Sequence, residues 1–147
     1  MSTPQRNRTL TIAVDPYVGD VVRTQTLLVL ELTHHLYEDI SSFCPEAQYN
    51  LSVIFRDAFA VLDALGWERP AEPPERIEIP LTVGHIDQLH RRRHDLGLQN
   101  IDLLPEDNGP ISPETLEEIT TNRLAAGALD RLCKRFYSRY ASADDAS

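Results

Sequence analysis

The chain has 147 residues, of which 41% are hydrophobic and 25% charged, and its formal net charge is −9. This length and composition are typical of one globular domain that needs no disulfide or metal in order to fold. The negative charge disfavours nucleic-acid binding, because phosphate backbones are repelled. We expect a single helical domain over 1–147, frayed at 1–8 and 142–147.

Two features point to a soluble cytoplasmic protein. The first residues are polar, and no apolar run approaches the ~20 residues that a membrane helix needs. Cys44 and Cys133 form no CxxC pair, which favours free thiols in a reducing compartment. Lys134 is the only lysine among 14 basic residues, a bias typical of GC-rich bacterial genomes.

The chain opens with a β-prone run at 10–14 and then a long helix. Asp15 can cap that helix, and Pro16 tolerates its first position. Its middle, 27–32, is apolar nearly all round, so we expect this helix either to be central or to be covered by another subunit. The helix should run to about residue 41, and its apolar stripe comprises Val18, Val21, Val22, Leu28, Val29, Leu32, Leu36 and Ile40.

A second helix is predicted over 46–65, closed by Gly66 in a left-handed conformation with Trp67 packing back. The connection over 67–80 contains four prolines and ends in a second extended run at 77–81. This run could pair with 10–14, with Pro80 at an edge or strand end, but the sequence leaves the pairing open. The stripe of the second helix comprises Leu51, Ile54, Phe55, Ala58, Val61, Leu62 and Leu65.

Thr82 is predicted to cap a third helix over 83–96 that stops at Gly97, with a further turn at 100–104. Ser112 and Pro113 open the last helix, whose inward face runs from Leu116 to Tyr140. The whole pattern predicts a mainly α, four-helix bundle-like domain.

Acid-x-x-His pairs suggest a metal site as one alternative function. Glu31 and His34 lie on the first helix, while Asp87, His90 and His94 lie on the third. Such spacings put side chains on one helix face, and bundles can gather them around Fe, Mn or Zn. Against this, Glu31 and His34 fall between the stripe positions of their helix, which favours exposure to water.

A basic patch suggests another alternative, an adaptor that binds an acidic or phosphorylated partner. The competing interpretation is a solvated face whose cations pair with neighbouring acids. The patch would comprise Arg91, Arg92, Arg93, Arg131, Lys134, Arg135 and Arg139.

The first expectation for function is a non-enzymatic protein-interaction module that associates with itself. No nucleophile, cofactor loop or catalytic cluster stands out, whereas the first helix carries more apolar surface than one bundle face needs. The expected contact residues are Leu27, Leu30, Tyr37 and Phe43. No cofactor is expected unless the metal alternative holds.

Overall fold

The computed structural model describes residues 8–40 and 45–146. The fold is mainly α, with four helices and one small antiparallel sheet, as predicted. None of the described helices is both long enough and apolar enough to cross a membrane. The elements are β1 (Leu10–Val14), α1 (Pro16–Ile40), α2 (Pro45–Leu65), β2 (Ile77–Leu81), α3 (Val83–Leu103) and α4 (Pro113–Ala146).

The two extended runs pair, which resolves the question that the sequence left open. β1 and β2 are antiparallel, with Leu10 opposite Leu81 and Val14 opposite Ile77. At the centre of the ladder Ile12 lies opposite Ile79, and both side chains are fully buried. The sheet therefore contributes one apolar face to the core.

The predicted helix starts are confirmed by their caps. The side-chain oxygens of Asp15, Thr82 and Ser112 each accept a hydrogen bond from the backbone N–H three residues later, at 2.8, 3.1 and 3.1 Å. Each cap satisfies an amide that the helix itself leaves without an acceptor. α4 continues to Ala146, into the range for which fraying is expected.

The end of α2 is closed by the expected glycine and by an arginine that the sequence did not indicate. Gly66 has φ 88° and donates its N–H to the Leu62 carbonyl at 2.7 Å. The buried Arg23 of α1 donates to the Leu65 and Gly66 carbonyls at 3.0 and 2.8 Å and to Asp20 at 2.7 Å. Arg23 thus joins α1 to the negative end of the α2 dipole.

The predicted stop of the third helix at Gly97 is wrong. α3 continues to Leu103 and ends just before Pro105. The extension is held by packing on α4, because Asn100 donates to the Ile119 carbonyl at 3.1 Å and accepts from Asn122 at 3.0 Å. A glycine permits a helix end but does not force one when neighbouring residues find tertiary partners.

The predicted burial of three leucines is also wrong. Leu32, Leu36 and Leu116 are 50%, 52% and 54% exposed. The inward face of α1 instead carries polar side chains such as Thr26 and Thr33, which are buried. The core cluster joins both strands to all four helices and includes Ile12, Val22, Val61, Ile79, Ile86, Leu89, Leu129, Leu132 and Phe136.

Candidate functional site

Four aromatic rings form a ladder along the outer side of the α1–α2 hairpin. The Tyr37 and Phe55 rings are 6.1 Å apart and edge-on, the Phe55 and Phe59 rings are stacked at 6.1 Å, and Phe59 lies 5.5 Å from Trp67. Each separation lies within the range of favourable aromatic pairs. We call these four residues the aromatic seam.

Two local features hold the aromatic seam in place. Phe55 and Phe59 are one helical turn apart on α2, so their rings follow each other along one face. Trp67 comes just after the Gly66 turn and donates its indole N–H to Asp63 at 3.1 Å. Despite these contacts Phe59 and Trp67 remain 43% and 44% exposed.

Three of the four expected interface residues lie on the same helical hairpin. Leu27 is 37% exposed, and Leu30 and Tyr37 are half-buried. The Tyr37 hydroxyl accepts a hydrogen bond from Gln48 at 2.9 Å, which bridges α1 and α2. Phe43 lies outside the described residues.

Apolar spacing along the sequence does not indicate most of the aromatic seam. The spacing predicts that Phe55 lies in the core and that Trp67 packs against the end of α2, and it does not distinguish Phe59. The signal that was available is the four-residue spacing of Phe55 and Phe59 beside a third aromatic residue. Spacing alone does not show which side of α2 turns outward.

The histidines and carboxylates of the metal alternative do not gather into one site. Within 8–40 and 45–146, no three His, Cys, Asp or Glu side chains lie close enough to hold an ion. His34 instead lies 2.9 Å from Glu38, and both side chains are 61% exposed. Glu31, His90 and His94 are exposed as well.

Asp87, the remaining residue of that alternative, is used in a contact between α3 and α4. Its carboxylate accepts a hydrogen bond from the Tyr137 hydroxyl at 3.1 Å. Partial burial, with the negative charge of Asp87 beside it, raises the pKa of Tyr137 to about 12. Asp87 is therefore engaged with a neutral phenol.

The three consecutive arginines of α3 have three different surroundings. Arg92 is buried and donates to Asp95 at 2.8 Å and to a glutamine of α1 at 3.0 Å. Arg93 lies 3.4 Å from Asp130 on α4. Arg91 is exposed and has no polar partner in the described part of the chain.

The cations of α4 are also mostly paired. Lys134 lies 3.1 Å from Asp130, and this hydrogen bond is the largest cause of the lowered pKa of Asp130. Arg135 and Arg139 donate to carbonyls of β1, each at 3.0 Å. The basic patch is thus divided among local pairs, and among its α4 members only Arg131 has no partner in 8–40 and 45–146.

A buried polar cluster lies at the start of α3, and the sequence did not indicate it. Thr82 donates to the buried Asp57 carboxylate at 2.8 Å and accepts the N–H of His85. The His85 Nε2 lies 3.0 Å from the Thr26 hydroxyl. Two adjoining cavities of about 430 and 290 Å³ share Asp57, Thr82 and Arg56 in their walls.

This cluster is suited to holding α3 in place. The Asp57 carboxylate lies beside the N-terminus of α3, where it accepts a hydrogen bond from the hydroxyl of the capping Thr82. Burial lowers the pKa of His85 to about 4, although the charge of Asp57 acts in the opposite direction. A neutral buried imidazole of such low pKa is a poor general base at neutral pH.

Cys133 is buried on α4 and is the one cysteine among the described residues. Burial raises the pKa of its thiol to about 11, and the nearby charge of Asp130 adds to this effect. Because the thiolate is the nucleophile, this residue is poorly placed for covalent catalysis.

The chain was compared with protein-family models, curated proteins and solved structures, and none of them matches it. Function is therefore inferred from the residues of this chain alone.

Proposed function

We propose that the chain is a non-catalytic protein-interaction module that associates with itself through the aromatic seam. The observation that carries the proposal is the exposure of Phe59 and Trp67, at 43% and 44%, within a continuous ladder of four rings. Contiguous exposed apolar surface of this kind marks interaction sites in soluble proteins.

The residue types of the seam favour contact with protein. Tyr, Trp and Phe are enriched in the buried centres of interfaces, and Trp and Tyr dominate binding energy there. The rings restrain one another, so little side-chain entropy remains to be lost on association. Leu27 and Leu30, on the same hairpin, would extend the apolar area.

The charges at the two ends of the seam favour a second copy as the partner. Glu38 follows Tyr37 at one end, and Arg69 lies two residues after Trp67 at the other. Their side chains are 61% and 67% exposed, and within the chain Glu38 already lies 2.9 Å from a histidine and Arg69 lies 3.3 Å from an aspartate. A two-fold axis that crosses the middle of the seam at right angles would place each end of one copy against the opposite end of the other, so the acid of one copy would face the base of its partner.

A reducing cytoplasmic setting in a bacterium belongs to the same proposal. Cys133 is a free thiol, and arginine outnumbers lysine throughout the chain. Both properties are typical of proteins from such cells.

The first test replaces Phe59, one of the two inner rings of the seam. We expect the wild-type protein to have the mass of a dimer by light scattering, and Phe59→Lys to weaken association by about tenfold or more because a charge would be buried without a partner. Leu124→Lys is the matched control, since Leu124 is 59% exposed on α4, far along the chain from the seam. A wild-type protein that stays monomeric at high concentration contradicts the proposal.

A charge exchange tests the two-fold arrangement. Glu38→Arg and Arg69→Glu should each weaken association, because each places like charges together. The double variant should restore it, since opposite charges then meet again with their positions reversed. If the double variant does not recover the dimer mass, this two-fold arrangement is excluded. The Phe59 test would still show whether the seam is the interface.

A further inference from the structure

A second apolar surface lies on another side of α1, in a groove between α1, α2 and α3. The groove has a volume of about 310 Å³. Its floor includes Val29 and Leu51, which are buried, and Leu32 and Leu36, which are 50% and 52% exposed. Two leucines one turn apart therefore face the solvent from an apolar floor. We call this surface the Leu32 groove.

The Leu32 groove is distinct from the aromatic seam. None of the four aromatic residues of the seam lines the groove. The groove is closed by α3 on one side, whereas the seam follows the contact of α1 with α2. Binding at one surface does not require the other.

The rim of the groove is formed by charged residues of α3. Arg91, Arg92 and Asp95 line it, so two positive charges and one negative charge leave +1 in a chain whose net charge is −9. Arg92 is already bonded to Asp95 at 2.8 Å and is buried. Arg91 is exposed, and it is the cation of the rim that has no partner within 8–40 and 45–146.

We propose that the Leu32 groove binds an amphipathic helix of another protein, with aliphatic side chains on the leucine floor and a carboxylate on Arg91. Open apolar grooves between helices receive such helices through side chains at positions i, i+3, i+4 and i+7. A carboxylate on an arginine forms a strong, directional pair, which fixes the orientation of the incoming helix. Charge complementarity selects an acidic segment, although the protein as a whole is acidic.

The test uses synthetic helical peptides as the probe. The first peptide has leucines at i, i+3, i+4 and i+7 on an alanine and glutamine background, with one glutamate beside the leucines. The second has lysine in place of glutamate, and the third has alanine in place of the leucines. Fluorescence anisotropy of labelled peptides should show the glutamate peptide binding about tenfold more tightly than either of the others.

Variants of the protein locate the binding and test its charge. Leu32→Ser and Leu36→Ser should each weaken binding of the glutamate peptide, with Leu124→Ser as the control for loss of an exposed leucine. Arg91→Glu should reverse the preference, so that the lysine peptide binds better than the glutamate peptide. Arg131→Glu, which makes the same charge change at another exposed arginine, should leave the preference unchanged.

Several results would overturn this inference. Equal binding of the glutamate and lysine peptides would remove the role of Arg91, and unchanged binding by Leu32→Ser would place the peptide elsewhere. A lower oligomeric mass in Leu32→Ser would identify a second copy as the occupant. Displacement of the peptide by a fatty acid such as dodecanoate would indicate a small-molecule site. A lower oligomeric mass in Leu32→Ser would also count against self-association through the aromatic seam alone. The peptide results do not bear on the Phe59 test, so the peptide-binding and seam proposals fail separately.

Discussion

Among single residues, His85 shows the largest chemical effect of burial. Its side chain is 1% exposed, and its Nδ1 has no hydrogen-bond partner in the described part of the chain. An imidazolium there would lose its hydration without gaining a direct ion pair, which explains the lowered pKa. The ring is therefore neutral while the protein is folded near neutral pH.

This neutral histidine should make the protein sensitive to mild acid. The pKa of His85 falls from an ordinary 6.5 to about 4, so between these values the unfolded chain binds a proton that the folded chain does not. Its contribution to stability is complete above pH 6.5 and is lost as the pH falls towards 4. We expect the free energy of unfolding to fall by about 2 kcal/mol between pH 7 and pH 5 on account of this residue.

Urea unfolding at both pH values measures this loss. His85→Gln lacks the titrating group, so its stability should change less between pH 7 and pH 5 than that of the wild-type protein. His34→Gln removes an exposed histidine and should behave as the wild type does. An equal loss of stability in His85→Gln and the wild type would show that other groups cause the acid sensitivity.

At the scale of elements, two glycines have opposite roles in their helices. Gly66 ends α2 with φ 88°, a conformation that side chains rarely adopt. Gly97 lies within α3, and a Cβ added there would meet no atom within 4 Å. The same residue type therefore ends one helix and weakens another.

Replacement by alanine should separate these two roles. Gly97→Ala should raise the free energy of unfolding by about 0.5–1 kcal/mol, because alanine costs less entropy in a helix and has room here. Gly66→Ala should lower it by about 1 kcal/mol, because a left-handed residue with a Cβ is strained. Thermal and urea unfolding of both variants check the signs, and a destabilised Gly97→Ala would mean that α3 needs its glycine.

At the scale of the whole molecule, the last helix holds the first strand. Arg135 and Arg139 donate to the carbonyls of Ala13 and Thr11, each at 3.0 Å. Alternate carbonyls point to the same edge of a strand, so the two arginines cover the edge of β1 that β2 leaves open. The two bonded pairs of residues are 122 and 128 positions apart along the chain.

Removal of these two bonds should loosen the sheet. We expect Arg135→Ala and Arg139→Ala each to lower the free energy of unfolding by about 1 kcal/mol, the usual net value of one hydrogen bond. Hydrogen exchange at the β1 amides should quicken in both variants. Arg131→Ala removes the same charge from the same helix but breaks no hydrogen bond, so it should have little effect on stability. An equal loss of stability in all three variants would show that the charge matters and the hydrogen bonds do not.

The sequence by itself determined the elements of this protein, because caps and apolar spacing are local signals. Asp15, Thr82, Ser112 and Gly66 act through bonds to residues at most four positions away, so the sequence shows their roles. The pairing of 10–14 with 77–81 was visible as two β-prone runs, but only the fold brought them together. For the candidate site, the sequence indicated Leu27, Leu30 and Tyr37 on the first helix. It did not indicate that the rings of Phe59 and Trp67 would be exposed on the same hairpin.

Only the tertiary structure decided which side of each helix turns inward. Apolar spacing on α1 suggested that Leu32 and Leu36 are core residues, yet Thr26, Thr33 and Arg23 occupy the buried side because they bond to other elements or pack there. The inward side depends on the register and angle of packed helices, and these are fixed by contacts between residues far apart in the chain. The exposed rings of the seam and the open leucines of the groove follow from that choice.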